Sequence, residues 1–185
     1  MVQSIRRCIE ARPYLRQLRA PPESGRATGL ATLFDAAYYR RSYRGPLPPL
    51  VHFIAAGAFE GANPHPLFDT AFYLRKYPDV AASGVNPLFH YLLHGAREGR
   101  KPHPLFQPDY YVAQCPEAAG HPLLHFITAA GDDDAEPQGN PHPLFDCRAY
   151  LRAHPEARGT NPLVDFVMQS RGPAGEGSQF GQSAA

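Results

Sequence analysis

The chain has 185 residues, 43% of them hydrophobic, which is enough for one ordinary domain with a buried core, and its net charge of +1 excludes a uniformly basic nucleic-acid footprint. Charged residues, at 19%, fall below the usual quarter, while 21 Pro and 16 Gly make up a fifth of the chain. The three cysteines, Cys8, Cys115 and Cys147, are odd in number and widely spaced, which argues against a disulfide framework and for a reducing compartment. No apolar run approaches the roughly 18 residues needed to span a bilayer. The N-terminus lacks the apolar core of a secretion signal. A soluble, cytoplasmic protein is expected.

Residues 1–30 form a basic leader or linker with six Arg against two Glu. Ile5, Cys8 and Ile9, with Arg6, Arg7, Arg12, Arg16 and Arg19 around them, suit a turn or two of basic helix, interrupted by Pro13 and closed by Pro21 and Pro22. Such a segment could make weak contact with a membrane surface through residues 1–20.

From there the chain repeats itself. The block PHPLF stands at 64–68, 102–106 and 141–145, with a clipped Leu33-Phe34 ahead of them, and Phe34, Phe68, Phe106 and Phe145 are 34, 38 and 39 residues apart. A period in that range marks a repeat of one small helical unit. The expected fold is all-α: an array of about four short helical hairpins over 31–170 (units about 32–64, 65–102, 103–141 and 142–170), solenoid-like or a compact helical bundle. Residues 171–185 are expected to be a flexible tail.

Each unit opens on a cap. Asp35, Asp69 and Asp146, with Gln107 in the third copy, follow the phenylalanine, and Tyr39, Tyr73, Tyr111 and Tyr150 stand five residues after it. With Asp as N-cap, Phe and Tyr occupy the two ends of a hydrophobic staple. Pro78, Pro116 and Pro155 limit this helix to about two turns. A connector follows, in the second copy one further turn ended by Gly84. The second helix opens on Pro49-Leu50, Pro87-Leu88, Pro122-Leu123 or Pro162-Leu163, with Asn86 or Asn161 as cap in two copies. Its apolar face runs Leu50/Phe53/Ile54, Leu88/Tyr91/Leu92, Leu123/Phe126/Ile127 and Leu163/Phe166/Val167. Gly57 and Gly95 are placed to end it in the left-handed conformation, with a further turn to Gly61 and Gly99. A hairpin this small cannot bury its faces alone, so stacking on its neighbours is expected, with PHPLF extended between units and its Leu and Phe plugging the seam.

Internal repetition sorts the polar residues. His52, His90 and His125, with Asp165 in the fourth copy, recur in the second helix and are expected to bond a neighbouring loop, and His65, His103 and His142 belong to the PHPLF scaffold. Single-copy residues are free for function. His90, His94 and Glu98 step by four and form a candidate two-histidine, one-carboxylate metal set. Asp132, Asp133 and Asp134 make a DxD pattern of the kind that holds a divalent cation and a diphosphate, but in a Pro- and Gly-containing insertion rather than at a strand end, so a solvated acidic loop is the expectation. No catalytic constellation, phosphate loop or dinucleotide fingerprint is present, and no cofactor is expected.

The second copy, from Phe68, Asp69 and Tyr73 through Pro78-Asp79, Asn86-Pro87-Leu88, His90-Tyr91-Leu92 and Gly95 to Glu98-Gly99-Arg100, resembles helical accessory repeats of bacterial surface-polysaccharide glycosyltransferases. The resemblance spans about 32–170 and weakens in the other copies; the catalytic domain of such enzymes is missing here. It implies a non-catalytic binding or scaffolding module of surface-glycan assembly, whose partner is a protein such as a glycosyltransferase, or a glycan. The expected binding groove lies between units, with Tyr73, Arg75, His90, His94, Arg97 and Arg100 offering aromatic faces and cations to sugars. The alternatives are a small metal-dependent enzyme using His90, His94 and Glu98 or the Asp132 to Asp134 loop, and a fragment of a larger glycosyltransferase.

Overall fold

The computed structural model describes residues 26–129 and 137–170. The basic stretch before Arg26, the acidic loop at 132–134 and the tail after Ser170 lie outside the described residues. What is described is all-α, with no β-strand. No described helix is long and apolar enough to cross a membrane. In chain order the helices are α1 (Arg26–Leu33), α2 (Ala36–Tyr39), α3 (Pro49–His52), α4 (Thr70–Lys76), α5 (Pro78–Ser83), α6 (Pro87–His90), α7 (Pro108–Gln114), α8 (Pro122–Ala129), α9 (Cys147–Ala153) and α10 (Pro162–Ser170). Helices α3 and α6 run on into π turns at Phe53–Gly57 and Tyr91–Gly95, and short 3-10 turns at Pro116–Ala118 and Pro155–Ala157 stand where the second copy has α5.

The first helix of each copy starts as its local chemistry dictates. The carboxylates of Asp35, Asp69 and Asp146 accept from the backbone amides of Tyr38, Phe72 and Ala149 at 2.9, 2.8 and 3.0 Å, satisfying one otherwise orphaned helix donor each. Gln107 makes no such bond. Each staple closes, with ring centres 5.5 Å apart for Phe34 and Tyr39, 5.4 Å for Phe68 and Tyr73, 5.8 Å for Phe106 and Tyr111, and 5.4 Å for Phe145 and Tyr150. Gly84 ends α5 in the left-handed conformation at φ 67°. Asn86 caps α6 through the amides of Leu88 and Phe89, and Asn161 caps α10 through those of Leu163 and Val164.

Three expectations need correcting. The helix α1 straddles the boundary expected at 30/31 and packs on α8 and on the π turn Tyr91–Gly95. A Cβ on Gly29 would come within 2.9 Å of Leu92 and 3.0 Å of Leu124, so the helix lies almost backbone to side chain against the second and third copies. Gly57 and Gly95 do not end their helices in the left-handed conformation; that role falls to Gly61 (φ 82°) and Gly99 (φ 66°). The PHPLF block is a tight turn rather than extended chain. The amide of Phe68 donates to the His65 carbonyl at 3.0 Å and that of Leu67 to His65 Nδ1 at 3.1 Å, and the same pair of bonds recurs at His103 and His142. Each turn also ties back to the preceding copy, because the Pro64, Pro102 and Pro141 carbonyls accept from the amides of Asp35, Asp69 and Gln107 at 2.9, 3.0 and 2.8 Å.

One apolar cluster runs from Leu33 to Val167 through Phe53, Phe68, Leu88, Phe106 and Leu123. It thins toward its far end: Phe53, Tyr91 and Phe126 are buried, whereas Phe166 at the matching place is 37% exposed.

The turn at His65 makes stability pH-dependent. His65 is 6% exposed, and burial holds its pKa down at about 4, against an ordinary value of 6.5. The unfolded chain therefore binds a proton between those values that the folded chain refuses. Stability from this residue is complete above pH 6.5 and is lost as pH falls through 4, a range worth about 3 kcal/mol. Asparagine at 65 keeps a side-chain acceptor for the Leu67 amide and removes the titration. His65→Asn is expected to show a flatter urea midpoint than the wild type between pH 7 and 4; parallel curves would assign the acid sensitivity elsewhere.

Candidate functional site

The polar residues that recur from copy to copy meet each other. The Tyr39 hydroxyl lies 2.8 Å from His52 Nδ1, Tyr73 is 3.1 Å from His90 Nδ1, and Tyr111 is 2.9 Å from His125 Nδ1. In the fourth copy Tyr150 donates to Asp165 Oδ2 at 2.7 Å. The partner expected from the sequence is a neighbouring loop; the observed one is the staple tyrosine of the same copy. A phenol that donates to Nδ1 in the other copies as Tyr150 donates to Asp165 places the imidazole proton on Nε2. Burial raises all four phenols, Tyr39 to about 12, and in Tyr150 the Asp165 bond adds to it. These hydroxyls stay protonated at neutral pH and act as structural donors, not as nucleophiles.

The π turns accompany these pairs in the first two copies only; Tyr111 reaches His125 across the regular helix α8. A Cβ on Gly57 would overlap the Tyr39 hydroxyl, and one on Gly95 the Tyr73 hydroxyl. At these two places glycine leaves room for the hydroxyl, so both glycines serve close approach rather than chain reversal.

Of the residues expected to form a groove, the structure gathers Tyr73, His90 and Arg100 and leaves Arg75, His94 and Arg97 exposed. Arg100 closes a clasp inside the second copy. Its Nη1 meets Asp79 Oδ2 at 2.7 Å, its Nε meets Glu98 Oε2 at 2.6 Å, and the guanidinium carbon lies 4.8 Å from the centre of the Tyr77 ring. The Tyr77 hydroxyl accepts from the Lys101 amide at 2.7 Å. Arg100 holds the Asp79 carboxyl below its ordinary pKa, and burial, then the Arg100 charge, lowers His90. The Tyr73 ring is fully buried, edge-on to Tyr91, and offers no open face to a sugar.

The candidate metal set does not come together either. His90 Nδ1 is engaged by Tyr73 and a Glu98 oxygen by Arg100, while the His94 ring stands 5.8 Å from that of His90, centre to centre. Among the described residues no group of three His, Cys, Asp or Glu side chains is placed to hold a metal ion. A step of four residues keeps one face only in unbroken α-helix, and here the π turn intervenes. Sequence reasoning missed Tyr77 and Asp79 as the other half of the clasp. The signal was present: Asp79 and Arg100 both belong to the second copy and have no match in the first, where Gly45 and Ala62 stand.

No known family matches the chain, and neither does any curated protein or solved structure.

Proposed function

We propose that this chain is a non-catalytic binding or scaffolding module, an array of about four stacked helical hairpins that works with surface-polysaccharide glycosyltransferases. The observation that carries this reading is the use of the recurring polar groups: tyrosine is bonded to histidine or aspartate inside each copy, and Arg100 is bonded to Asp79 and Glu98. Of the candidate metal set, His90 and Glu98 thus have structural employment. Between the two classes of partner, a protein is favoured over a glycan, because the Tyr73 ring expected to stack on a sugar lies in the core. The glycosyltransferase connection rests on the sequence resemblance of the second copy.

The test is a thermal-shift series on the full chain with purified surface-polysaccharide glycosyltransferases, acidic and neutral oligosaccharides, sugar nucleotides and divalent metals. A binder at 100 times its dissociation constant adds about 2.7 kcal/mol to the folded state. Stabilisation by a transferase and by none of the small molecules is the expected result. A shift with a sugar nucleotide or a metal alone would overturn the proposal in favour of an enzyme.

A further inference from the structure

The first and second copies match through the residues around Arg100: Tyr39 with Tyr73, Tyr43 with Tyr77, His52 with His90, Glu60 with Glu98, and Gly61 with Gly99. They part at the next position, where Ala62 replaces Arg100. Beside Ala62 the first copy has an open cleft of about 500 Å³, lined in part by Tyr39, Tyr43, His52, Glu60, Ala62 and Asn63. Glu60 is exposed, and no described residue pairs with it. The Tyr43 ring lies flat on His52, with centres 3.7 Å apart and planes 14° apart, and its hydroxyl accepts from the Leu47 amide. The cation already beside it, Arg40, sits 5.7 Å from the ring centre and donates to the Gly45 carbonyl, away from Glu60 as its bonding partner. In the third copy a Cβ at the matching Gly139 would lie 3.0 Å from Cys115 and 3.3 Å from Tyr111, so that place is tight for a side chain.

We propose that the first-copy cleft takes the guanidinium of an arginine side chain presented by a protein partner, in the place Arg100 holds in the second copy. Glu60 supplies the carboxylate that Glu98 supplies there, and Tyr43 and His52 line the cleft beside it. A planar fork of donors suits a carboxylate beside a ring face, whereas an ammonium is a compact and strongly hydrated point charge, so arginine is selected over lysine. With Gly45 in place of Asp79, the cleft offers one carboxylate where the internal clasp has two, which fits reversible docking. The inference deepens the binding role proposed above and rests on it only for the partner. The cleft's own preference is read with small probes, so either idea can fail without the other.

The experiment is an NMR titration of the full chain with N-acetyl-arginine amide, its lysine counterpart and its citrulline counterpart, following the His52 and Tyr43 ring signals. Arginine is expected to give saturable shifts, lysine to bind at least tenfold more weakly, and neutral citrulline to give none. Glu60→Gln, at an exposed position, should weaken arginine binding at least tenfold. Ala62→Arg should abolish it by filling the cleft from within. The leader's own arginines could compete, so the series is repeated with Arg6, Arg7, Arg12, Arg16 and Arg19 changed to Gln. Equal binding of all three probes, unchanged binding in Ala62→Arg, or no ring shift in either background would overturn the proposal.

Discussion

Gly95→Ala is expected to destabilise the fold by about 3 kcal/mol or more, the upper end of what overpacking a well-filled core costs, with a lost hydrogen bond added to it. The new methyl would occupy the place of the Tyr73 hydroxyl, and Tyr73 is fully buried with its ring against Phe68, Tyr77 and Tyr91. The ring cannot step aside without disturbing those contacts, and retreat of the hydroxyl strips His90 Nδ1 of its partner. Urea denaturation measures the loss, and a second substitution identifies its cause. Tyr73→Phe alone removes the bond to His90 and should cost about 1 kcal/mol. In the double variant the hydroxyl is gone and the next nearest atoms to the new methyl, on Tyr91 and His90, are 3.4 and 3.5 Å away, ordinary contacts. Gly95→Ala/Tyr73→Phe should therefore be more stable than Gly95→Ala alone, a coupling of at least about 1 kcal/mol. Simple additivity would mean that glycine is needed at 95 for backbone freedom instead. Gly84→Ala provides the contrast, since Gly84 has φ 67° and a methyl there would meet nothing within 4 Å, so its cost is confined to the left-handed backbone.

The second large effect sets identical words against each other. Leu67 and Leu144 both stand in the sequence PHPLF, preceded by the same turn, yet Leu67 is fully buried and Leu144 is 90% exposed. Leu67→Ala should cost about 3 to 5 kcal/mol, because it deletes buried methyl groups and leaves a cavity. Leu144→Ala should stay within about 0.5 kcal/mol of the wild type. Leu105→Ala, at a half-buried position, should fall between them. Denaturation midpoints of the three variants under one set of conditions decide the matter. Similar losses at 67 and 144 would show that Leu144 is covered in solution.

What could be foreseen here tracks how local each cause is. Asp69 caps the amide three residues on, and Phe68 meets Tyr73 five residues on, so both are visible in the order of residues alone. Pro87 after Asn86 marks the start of α6 for the same reason. The Tyr–His pairs are not visible as pairs, although both members recur from copy to copy, since 13 residues separate them in the first copy, 17 in the second and 14 in the third. No fixed period registers a contact made across connectors of unequal length. Two prolines around His65 suggest extended chain, and a side-chain nitrogen accepting the Leu67 amide makes a turn of it. His90, His94 and Glu98 align only under a uniform helical period, which the π turn at Tyr91–Gly95 interrupts.

The sequence by itself determined the all-α class, the Asp and Asn caps and the Phe–Tyr staples, because these depend on groups within one or two turns of each other. Only the tertiary structure decided which of the repeated residues are consumed in the fold and which face outward. Arg100 is spent on Asp79, 21 residues away, whereas the cleft beside Ala62 stands open. Leu67 is sealed in the core while Leu144 is exposed. Burial is set by what packs against a residue, and two copies of the same word carry no record of their neighbours.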